Sequence, residues 1–517
     1  MFSTVYSGAL RGVDAVSVQV EVKSGMLGDF AMIVVGLPDA AVKESSDRVM
    51  AAFSSCKLSL PFSKTIINLA PGDIRKEGPM YDLPIALSLL VANGTLPPDN
   101  LGRFIVAGEL GLDGAVRPIR GGVSLALLAR KENRDIILPR VSAEEAALVE
   151  GVKVYPVENL RECLQFLTGE KQIEPLTPES SSFNKSVPAE SLVDFSEVKG
   201  QYQLRRAVEI AVAGGHNILM IGSPGSGKSM IAKRIPTILP EPSLDEFLEI
   251  LGIQSAAGMT IVSDEHSIQR PFRAPHHTIS DVGLIGGGSV PGPGEISLAH
   301  NGVLFLDEFP EFKRSVLEVL RQPLEDGEVT ISRASAKITL PAHFMLVAAM
   351  NPCPCGYYGD RHHRCTCTPT QIQRYRSRLS GPLLDRIDIH VNAPTLSIEE
   401  LRTAKPGESS AVVRERIVAA RAIQENRFLQ DTSMGPKTRC NARMTNKQIQ
   451  KYCALGEMQS RMLQTAMERF GLSARAYTRI LKVARTVADL AGHAEIAAED
   501  ISEAINFRLL DKSNEQI

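Results

Sequence analysis

The sequence lacks an excess of either charge. Its 57 Lys and Arg residues are balanced by 59 Asp and Glu residues, which leaves a formal net charge of −2 across 517 residues. A chain of this kind has no overall polycationic character, so any contact with nucleic acid must come from local basic patches. With 44% hydrophobic and 22% charged residues, the composition is that of an ordinary soluble globular protein.

Long apolar runs and a leader sequence are also missing. No apolar run approaches the ~18–20 residues of a membrane span, so no membrane contact is expected. The first residues show no basic segment followed by an apolar one, so no signal peptide is predicted and the expected compartment is the cytoplasm. The length corresponds to about three or four domains.

Cysteine is scarce and unevenly placed. Eight cysteines are too few for a disulfide scaffold in a chain of this length, and four of them fall within residues 353–367. Crowding of that kind indicates a metal site rather than bridges.

These four cysteines are candidate Zn²⁺ ligands. Soft thiolate ligands suit a tetrahedral zinc site, with either histidine of the intervening tract as a substitute. Their C-x-C spacing, however, strains a single tetrahedron, so free or redox-active thiols are the alternative. The residues concerned are Cys353, Cys355, Cys365 and Cys367.

The most specific motif is G-x-x-x-x-G-K-S at residues 222–229. It follows an apolar run at 217–221 and precedes a helix-compatible segment, so strand, glycine-rich turn and helix occur in the order of a P-loop. Glycines let backbone N–H groups curl around a phosphate, Lys228 can reach the β- and γ-phosphates, and the Ser229 hydroxyl can hold Mg²⁺. The sequence therefore predicts a nucleoside triphosphate site. Its residues are Gly222, Ser223, Pro224, Gly225, Ser226, Gly227, Lys228 and Ser229.

Two further apolar runs end in polar residues. The run at 303–306 is followed by Asp307 and Glu308, which places one carboxylate for Mg²⁺ and one to polarise an attacking water. Such a strand is common by chance, but its position about 80 residues after a P-loop favours a hydrolytic site. The run at 345–350 ends at Asn351, which by residue type alone is a strand-end turn former.

The N-terminal part of the chain predicts an α/β domain. Residues 16–22 alternate with strict period two, as a half-buried strand does, and residues 82–90 begin like a helix with proline near its first turn. Residues 171–191 contain three prolines and a run of serines with few large apolar residues, which is typical of a linker.

Residues 194–201 and 213–217 carry a family resemblance. They resemble the opening of magnesium-chelatase-like AAA+ ATPases of the ComM/YifB type, and the resemblance extends over nearly the whole chain. The fold class it implies is α/β: a P-loop AAA+ module with a helical lid, preceded by a Lon-protease-like domain of the ribosomal S5 domain 2 type. The implied segments are 1–170 for the Lon-like domain, 171–191 for the linker, 192–397 for the AAA+ core with its cysteine insert at 353–367, and 398–517 for the lid.

The Lon-like resemblance does not extend to proteolysis. The tract at 77–84 resembles the segment in which Lon proteases place their catalytic serine, but Met80 occupies that position. The later tract at 121–124 offers no lysine for a catalytic dyad. An accessory or substrate-guiding domain is therefore expected instead of an active protease.

The family resemblance also implies roles for single residues. Asn351 corresponds to sensor 1, Arg475 to sensor 2 with Arg479 as its rival, and Arg386 to an arginine finger that reaches the ATP of a neighbouring subunit. A finger acting in trans requires a homo-oligomer, and the family implies a hexameric ring. The alternative for Arg386 is a surface arginine paired with Asp385 or Asp388.

Residues 328–340 predict a β-hairpin, because two period-two runs flank a tip of small residues. Its position resembles the hairpin before sensor 1 that magnesium chelatases share with MCM-type helicases, which points into a central pore. Arg333 and Lys337 are then candidate DNA phosphate contacts. The alternative is two solvated charges on an exposed hairpin.

The C-terminal region predicts a helical lid with a local basic excess. Residues 437–485 contain eleven Lys or Arg residues and two acids. A solvated helix face explains part of this asymmetry, and an anionic partner such as nucleic acid explains it better.

Three functions share this ATPase core. The first is a ring motor that translocates on or remodels DNA, for which the resemblance implies helicase or branch-migration activity during recombination of incoming DNA. The second is a metal-chelatase motor subunit, and the third is a Lon-like protease or protein unfoldase. The hairpin, the basic C-terminal region and the cysteine insert favour the first. The missing serine–lysine pair counts against the third, and the N-terminal domain fused in cis counts against the second.

Overall fold

A computed structural model gives the fold of this chain. It describes residues 2–26, 31–60, 63–177, 193–259, 269–287, 292–332, 337–404, 406–431 and 439–508. Most of the predicted linker, from 178 to 191, lies outside the described residues, as does Arg333. Within the described residues, no helix is long and apolar enough to span a membrane.

The N-terminal region forms a seven-stranded mixed sheet covered by helices. Its elements in chain order are β1 (Phe2–Arg11), β2 (Asp14–Met26), β3 (Met32–Val35), α1 (Ala40–Lys43), α2 (Ser45–Ser55), β4 (Lys64–Ala70), α3 (Asp82–Ala92), β5 (Phe104–Val106), β6 (Glu109–Leu110), β7 (Val116–Arg117), α4 (Gly122–Lys131), β8 (Asp135–Pro139), α5 (Arg140–Ala146), β9 (Val154–Val157) and α6 (Leu160–Thr168). The strand order is β3-β4-β2-β1-β5-β8-β9, with β6 and β7 as a separate pair.

Hydrophobic periodicity explains this region. The alternation predicted for β2 is present, with Val18, Val20 and Val22 all fully buried. Every residue of α3 is buried, which fits a helix without a polar face. Met80 is buried in the turn before α3, so the position matched to the Lon serine offers no nucleophile.

The next region contains a five-stranded, all-parallel sheet. Its elements are α7 (Tyr202–Gly214), β10 (Ile218–Ile221), α8 (Lys228–Ala232), α9 (Leu244–Ala256), β11 (Phe272–Arg273), α10 (Asp281–Ile285), β12 (Gly286–Gly287), β13 (Gly292–Pro293), α11 (Glu295–Leu298), β14 (Val303–Leu306), α12 (Arg314–Val319), α13 (Arg321–Asp326), β15 (Glu328–Ser332), β16 (Lys337–Pro341), β17 (Met345–Met350), α14 (Pro369–Arg376), α15 (Gly381–Leu384) and β18 (Ile389–Asn392). The strand order is β11-β14-β17-β10-β18, and each neighbouring pair is parallel.

This strand order determines where the site forms. The three central strands β14, β17 and β10 are buried at every residue, as expected for a parallel sheet covered on both faces. Because they are parallel neighbours, the residues that follow them meet at one edge of the sheet. The parallel sheet and its P-loop agree with the α/β P-loop module that the family resemblance implies.

The C-terminal region is helical. It contains α16 (Ile398–Thr403), α17 (Ser410–Leu429), α18 (Asn446–Tyr452), α19 (Glu457–Phe470), α20 (Ala474–Ala491) and α21 (Ala498–Asn506). Apolar residues of α17 and α20 share one core with α7 and β10, so the lid packs directly on the ATPase sheet. Gly471 and Gly492 end α19 and α20 in the left-handed conformation, which is common for glycine at a helix C-terminus.

The N-terminal sheet region and the ATPase region are in contact. Phe247, Leu248 and Leu251 of α9 are part of the N-terminal hydrophobic core. The Ser255 hydroxyl accepts from the Gly121 N–H at 3.0 Å and donates to Glu145 at 3.1 Å. Helix α9 therefore joins the two regions through apolar packing and a buried hydrogen-bond chain.

Candidate nucleotide site and cysteine cluster

The P-loop connects β10 to α8 and depends on its glycines. Gly225 and Gly227 have φ of +77° and +88°, which glycine adopts without strain. A Cβ at position 222 would lie 2.2 Å from the Ala393 carbonyl oxygen, so only glycine fits there. The Gln201 side chain braces the loop by donating to the Ser226 carbonyl at 3.0 Å.

Lys228 is held inside this loop and is 7% exposed. Its Nζ donates to the Gly222 and Ser223 carbonyls at 2.7 and 3.0 Å and lies 3.4 Å from the Asn351 Oδ1. Burial lowers the pKa of Lys228 to about 8, and the Asp307 carboxylate opposes that shift. An anionic ligand would stabilise the buried ammonium group of Lys228, because it offsets the cost of burying the positive charge.

Ser229 and Asp307 form the oxygen pair expected for Mg²⁺. The Ser229 hydroxyl donates to the Asp307 Oδ2 at 2.5 Å. The other carboxylate oxygen accepts from the Glu308 N–H at 2.9 Å. A hydroxyl and a carboxylate at one point are hard oxygen ligands of the kind that Mg²⁺ prefers, so the residues present fit the ion.

Glu308 directly follows Asp307 in the left-handed conformation, with φ of +51°. Its Oε2 lies 3.1 Å from the Nδ1 of His277. His277 is not among the site residues predicted from the sequence. The contact joins residues 31 positions apart, and no local pattern indicates it.

Asn351 follows β17 and lies beside the P-loop. Besides its contact with Lys228, its backbone is hydrogen-bonded to the Tyr375 hydroxyl. Residues predicted from three separate motifs therefore meet at the carboxyl edge of the sheet: Lys228, Ser229, Asp307, Glu308 and Asn351.

Arg386 lies at the opposite edge of the sheet. Its carbonyl accepts from the Asn217 side chain at 3.1 Å, and Asn217 directly precedes β10, whereas the P-loop directly follows that strand. A four-residue strand is about 13 Å long, so the Arg386 backbone lies at the end of β10 opposite to the P-loop of its own chain. Neither pairing predicted for a surface arginine is present, since Arg386 is 7% exposed and forms an ion pair with Glu325 of α13.

The two lid arginines lie near this second edge. The Arg479 guanidinium contacts the buried Asp388 carboxylate at 2.7 Å, and Asp388 also accepts from His216 at 3.1 Å. The Arg386 guanidinium lowers the pKa of the Glu325 carboxyl, and Arg475 and Arg479 lie close enough to lower it further. Arg475 is exposed in the first turn of α20.

The predicted hairpin is present as β15 and β16, paired antiparallel from Glu328–Pro341 to Ser332–Lys337. Arg333 lies outside the described residues, and Lys337 begins β16. The apolar side of the hairpin faces the turn between β1 and β2, where Gly12 approaches Ile338 and Leu340. The hairpin is thus anchored between the ATPase sheet and the N-terminal region.

Part of the basic excess at 437–485 is neutralised within the chain. Ion pairs join Arg439 to Glu246, Lys451 to Asp431, Arg461 to Glu457, Arg479 to Asp388 and Arg485 to Asp489. Arg443, Lys447, Arg469 and Arg475 are exposed. The charge available to an anionic partner is therefore smaller than the residue count indicates.

The four crowded cysteines converge on one point. Their sulfur atoms all lie within 4.8 Å of one another, and the Cys353 sulfur is 3.4 Å from that of Cys355 and 3.7 Å from that of Cys365. A tetrahedron with Zn–S bonds of ~2.3 Å has S···S edges of about 3.8 Å, whereas a disulfide bond measures about 2.05 Å. The arrangement fits one tetrahedral metal ion, and neither His362 nor His363 is needed to complete it.

The loop around the four cysteines buries little apolar surface that could stabilise it. Residues 353–367 contain no helix or strand, and Cys353 is their only buried apolar side chain. Ordering a backbone costs about 1–2 kcal/mol per residue, which this loop does not offset by apolar burial. Structural Zn²⁺ contributes about 10–16 kcal/mol of folding free energy in small zinc domains.

Comparison with known proteins places these features in a family. The profile described as "Magnesium chelatase, subunit ChlI" matches residues 194–401, and the related profiles "Subunit ChlI of Mg-chelatase" and "Magnesium chelatase, subunit ChlI C-terminal" match residues 18–142 and 407–508. AAA+ modules of this family imply ATP and Mg²⁺ as ligands, which agrees with the oxygen pair and the buried lysine described above.

Individual proteins are also similar in sequence to this chain. The DNA replication licensing factor mcm-6 of Caenorhabditis briggsae is 23% identical over 238 residues, which cover 41% of this chain and 25% of that protein. YifB of Escherichia coli is 43% identical over 99% of this chain and 97% of its own length. The competence protein ComM of Haemophilus influenzae is 43% identical over 98% of this chain and 97% of its own length. The chain therefore belongs to the magnesium-chelatase-like family of AAA+ ATPases, in the group that contains ComM and YifB.

Proposed function

We propose that this chain is a ring-forming ATPase that hydrolyses ATP to translocate on or remodel DNA. Its proposed task is branch migration in the recombination of DNA taken up during natural transformation. The observation that carries the proposal is the separation of Arg386 from its own P-loop. The similarity to a protein named for competence supports a task in transformation.

The ATPase roles follow from the geometry at the carboxyl edge of the sheet. Ser229 and Asp307 would hold Mg²⁺, and Lys228 would contact the phosphates. Glu308 would polarise the attacking water, with Asn351 aligning that water against the γ-phosphate. The lowered pKa of Lys228 supports this assignment, because an anionic ligand relieves the cost of burying its charge.

A homo-oligomer, in our proposal a hexamer, completes the site. Arg386 and Arg475 lie near Glu325, at the edge remote from the P-loop. An arginine in that position can stabilise transition-state charge only on the ATP of a neighbouring subunit. Both arginines would then act in trans.

DNA is the proposed substrate because of the hairpin and the basic lid. In a ring, β15 and β16 would carry Arg333 and Lys337 into the pore, where they would contact phosphates. The exposed basic residues of the lid would add to this surface. The similarity to a DNA replication licensing factor supports the same substrate.

Zn²⁺ is the ion we propose for the four-cysteine site. The sulfur separations match a tetrahedron of thiolates, and no ligand other than Cys353, Cys355, Cys365 and Cys367 is required.

A chelatase-like or protein-remodelling motor is the second candidate. It is favoured by the magnesium-chelatase profiles and by the edge strand β3, whose Ile33 and Val35 are each 40% exposed, with Leu37 beyond them at 54%. An apolar sheet edge of this kind is a surface for a protein partner.

The rate of ATP hydrolysis with and without DNA separates these candidates. Single-stranded and forked DNA should both stimulate turnover, and binding should weaken steeply as salt rises, since phosphate contacts release counterions. Lys337→Ala should reduce stimulation while preserving the rate without DNA, and the exposed Lys131→Ala is the matched control. An absence of both stimulation and salt-sensitive binding would favour the protein-remodelling candidate.

A further inference from the structure

The cysteine loop lies directly against the P-loop. Gly356, with φ of +88°, approaches Pro224 so closely that a Cβ at position 356 would lie 2.6 Å from the Pro224 Cδ. Both the conformation and the contact require glycine. The first turn of the cysteine loop therefore rests on the tip of the P-loop.

Asp360 makes a second connection from the same loop. Its side chain is 1% exposed. The carboxylate accepts from the Thr395 hydroxyl at 2.7 Å and from the Ser223 hydroxyl of the P-loop. It also accepts from the backbone N–H groups of His362 and His363 at 2.8 and 2.9 Å. One carboxylate thus joins the cysteine loop, the P-loop and the segment after β18.

The start of the loop is tied to the same site. Cys353 lies two residues after Asn351, whose side chain contacts Lys228. The Tyr358 N–H donates to the Cys353 sulfur at 3.3 Å, and the Cys355 N–H donates to the Cys367 sulfur at 3.3 Å. These bonds orient the sulfurs as outer-shell partners do in metal sites. The positions of the sulfur atoms are therefore connected, through short stretches of chain, to residues that contact the P-loop.

We propose that Zn²⁺ bound by the four cysteines holds the cysteine loop against the P-loop, so that metal occupancy controls the affinity for ATP. The inference rests on the zinc site proposed above, and it does not depend on DNA. Asp360 is a positioning residue: it acts on the nucleotide through Ser223. Because coupling between two sites is reciprocal, ATP should in turn tighten the binding of zinc.

Metal content and ATP affinity of the full-length protein test this coupling separately. Purified protein should contain one zinc ion per chain by elemental analysis. Removal of zinc with a chelator should weaken the binding of a fluorescent ATP analogue about tenfold or more, and added Zn²⁺ should restore it. Zinc-free protein that binds the analogue as tightly as the zinc-loaded protein would overturn the coupling. Purified protein without bound metal would overturn the zinc assignment itself.

Asp360→Asn tests the connection without altering a ligand. It should retain the full zinc content and weaken ATP binding about tenfold, because the amide cannot replace a buried charged acceptor. His362→Ala, an exposed residue of the same loop, is the matched control and should change neither quantity. Wild-type ATP affinity in Asp360→Asn would contradict the role of Asp360, and a loss of zinc in His362→Ala would contradict the four-cysteine site.

Discussion

Raising the pH should weaken ATP binding, because Lys228 loses its proton at a lower pH than an ordinary lysine. Burial lowers its pKa from 10.5 to about 8, and Asp307 opposes only part of that change. A triphosphate beside the ammonium favours the protonated form and raises the pKa again. ATP affinity should therefore be independent of pH below about 8 and should fall above it.

The size of the effect follows from the same pKa. Above pH 8, binding should weaken about tenfold per pH unit, since the lysine must first be protonated. If bound ATP restores the ordinary pKa of 10.5, the difference of about 2.5 units corresponds to about 300-fold, or about 3 kcal/mol. The change between pH 7 and 9.5 should then exceed tenfold.

Equilibrium binding of an ATP analogue between pH 7 and 9.5, at fixed ionic strength and excess Mg²⁺, measures this. Lys482 provides the control, because its pKa is also lowered to about 8 while its Nζ donates to the Ala442 carbonyl in the lid. Lys482→Met should keep the wild-type slope, and Lys228→Arg should remove it. A flat wild-type profile would refute the lowered pKa, and a slope that persists in Lys228→Arg would assign it to another group.

Three other substitutions test further parts of the proposed site. Glu308→Gln should bind ATP with wild-type affinity and hydrolyse it at least about 100-fold more slowly, which single-turnover kinetics would measure. A wild-type rate of hydrolysis would contradict the proposed role of Glu308. Arg386→Ala should change the free energy of unfolding by less than about 1 kcal/mol, because its half-exposed partner Glu325 is solvated when left alone. Glu325→Gln should cost more, about 1–3 kcal/mol, since it leaves a buried guanidinium without its carboxylate. Urea unfolding compares the two, and the reverse order would contradict the burial of Arg386.

The parts of the site that could be predicted from sequence are set by local spacing. The P-loop motif fixes Lys228 and Ser229, and apolar runs that end at Asp307 and Asn351 indicate parallel strands. Parallel neighbours necessarily bring their carboxyl ends together, so their meeting at one edge follows from the pattern. The period-two alternation of β2 was equally informative, because one face of that strand is fully buried.

Contacts between distant segments could not be predicted. The alternative to the arginine finger paired Arg386 with its sequence neighbours Asp385 or Asp388, yet the Asp388 carboxylate contacts His216 and Arg479. Glu325, which pairs with Arg386, lies 61 residues away. Such pairs depend on how helices pack on the sheet, and periodicity does not specify that packing.

For the cysteine cluster, spacing alone did not determine how the four sulfur atoms are arranged. The C-x-C pattern indicated strain in a single tetrahedron, but the four sulfurs lie within 4.8 Å of one another. Gly356, with φ of +88°, ends a turn that begins at Cys353, in a conformation that glycine adopts without strain.

Mixing two inactive variants tests the inter-subunit site most directly. Lys228→Ala removes the P-loop lysine but keeps Arg386, and Arg386→Ala does the reverse, so each alone should be inactive in ATP hydrolysis. In an equal mixture, about a quarter of the interfaces would combine an intact P-loop with an intact Arg386, and hydrolysis should recover to about that fraction of wild type. Activity of Arg386→Ala alone, or no recovery in mixed rings shown to contain both variants, would contradict a site shared between subunits.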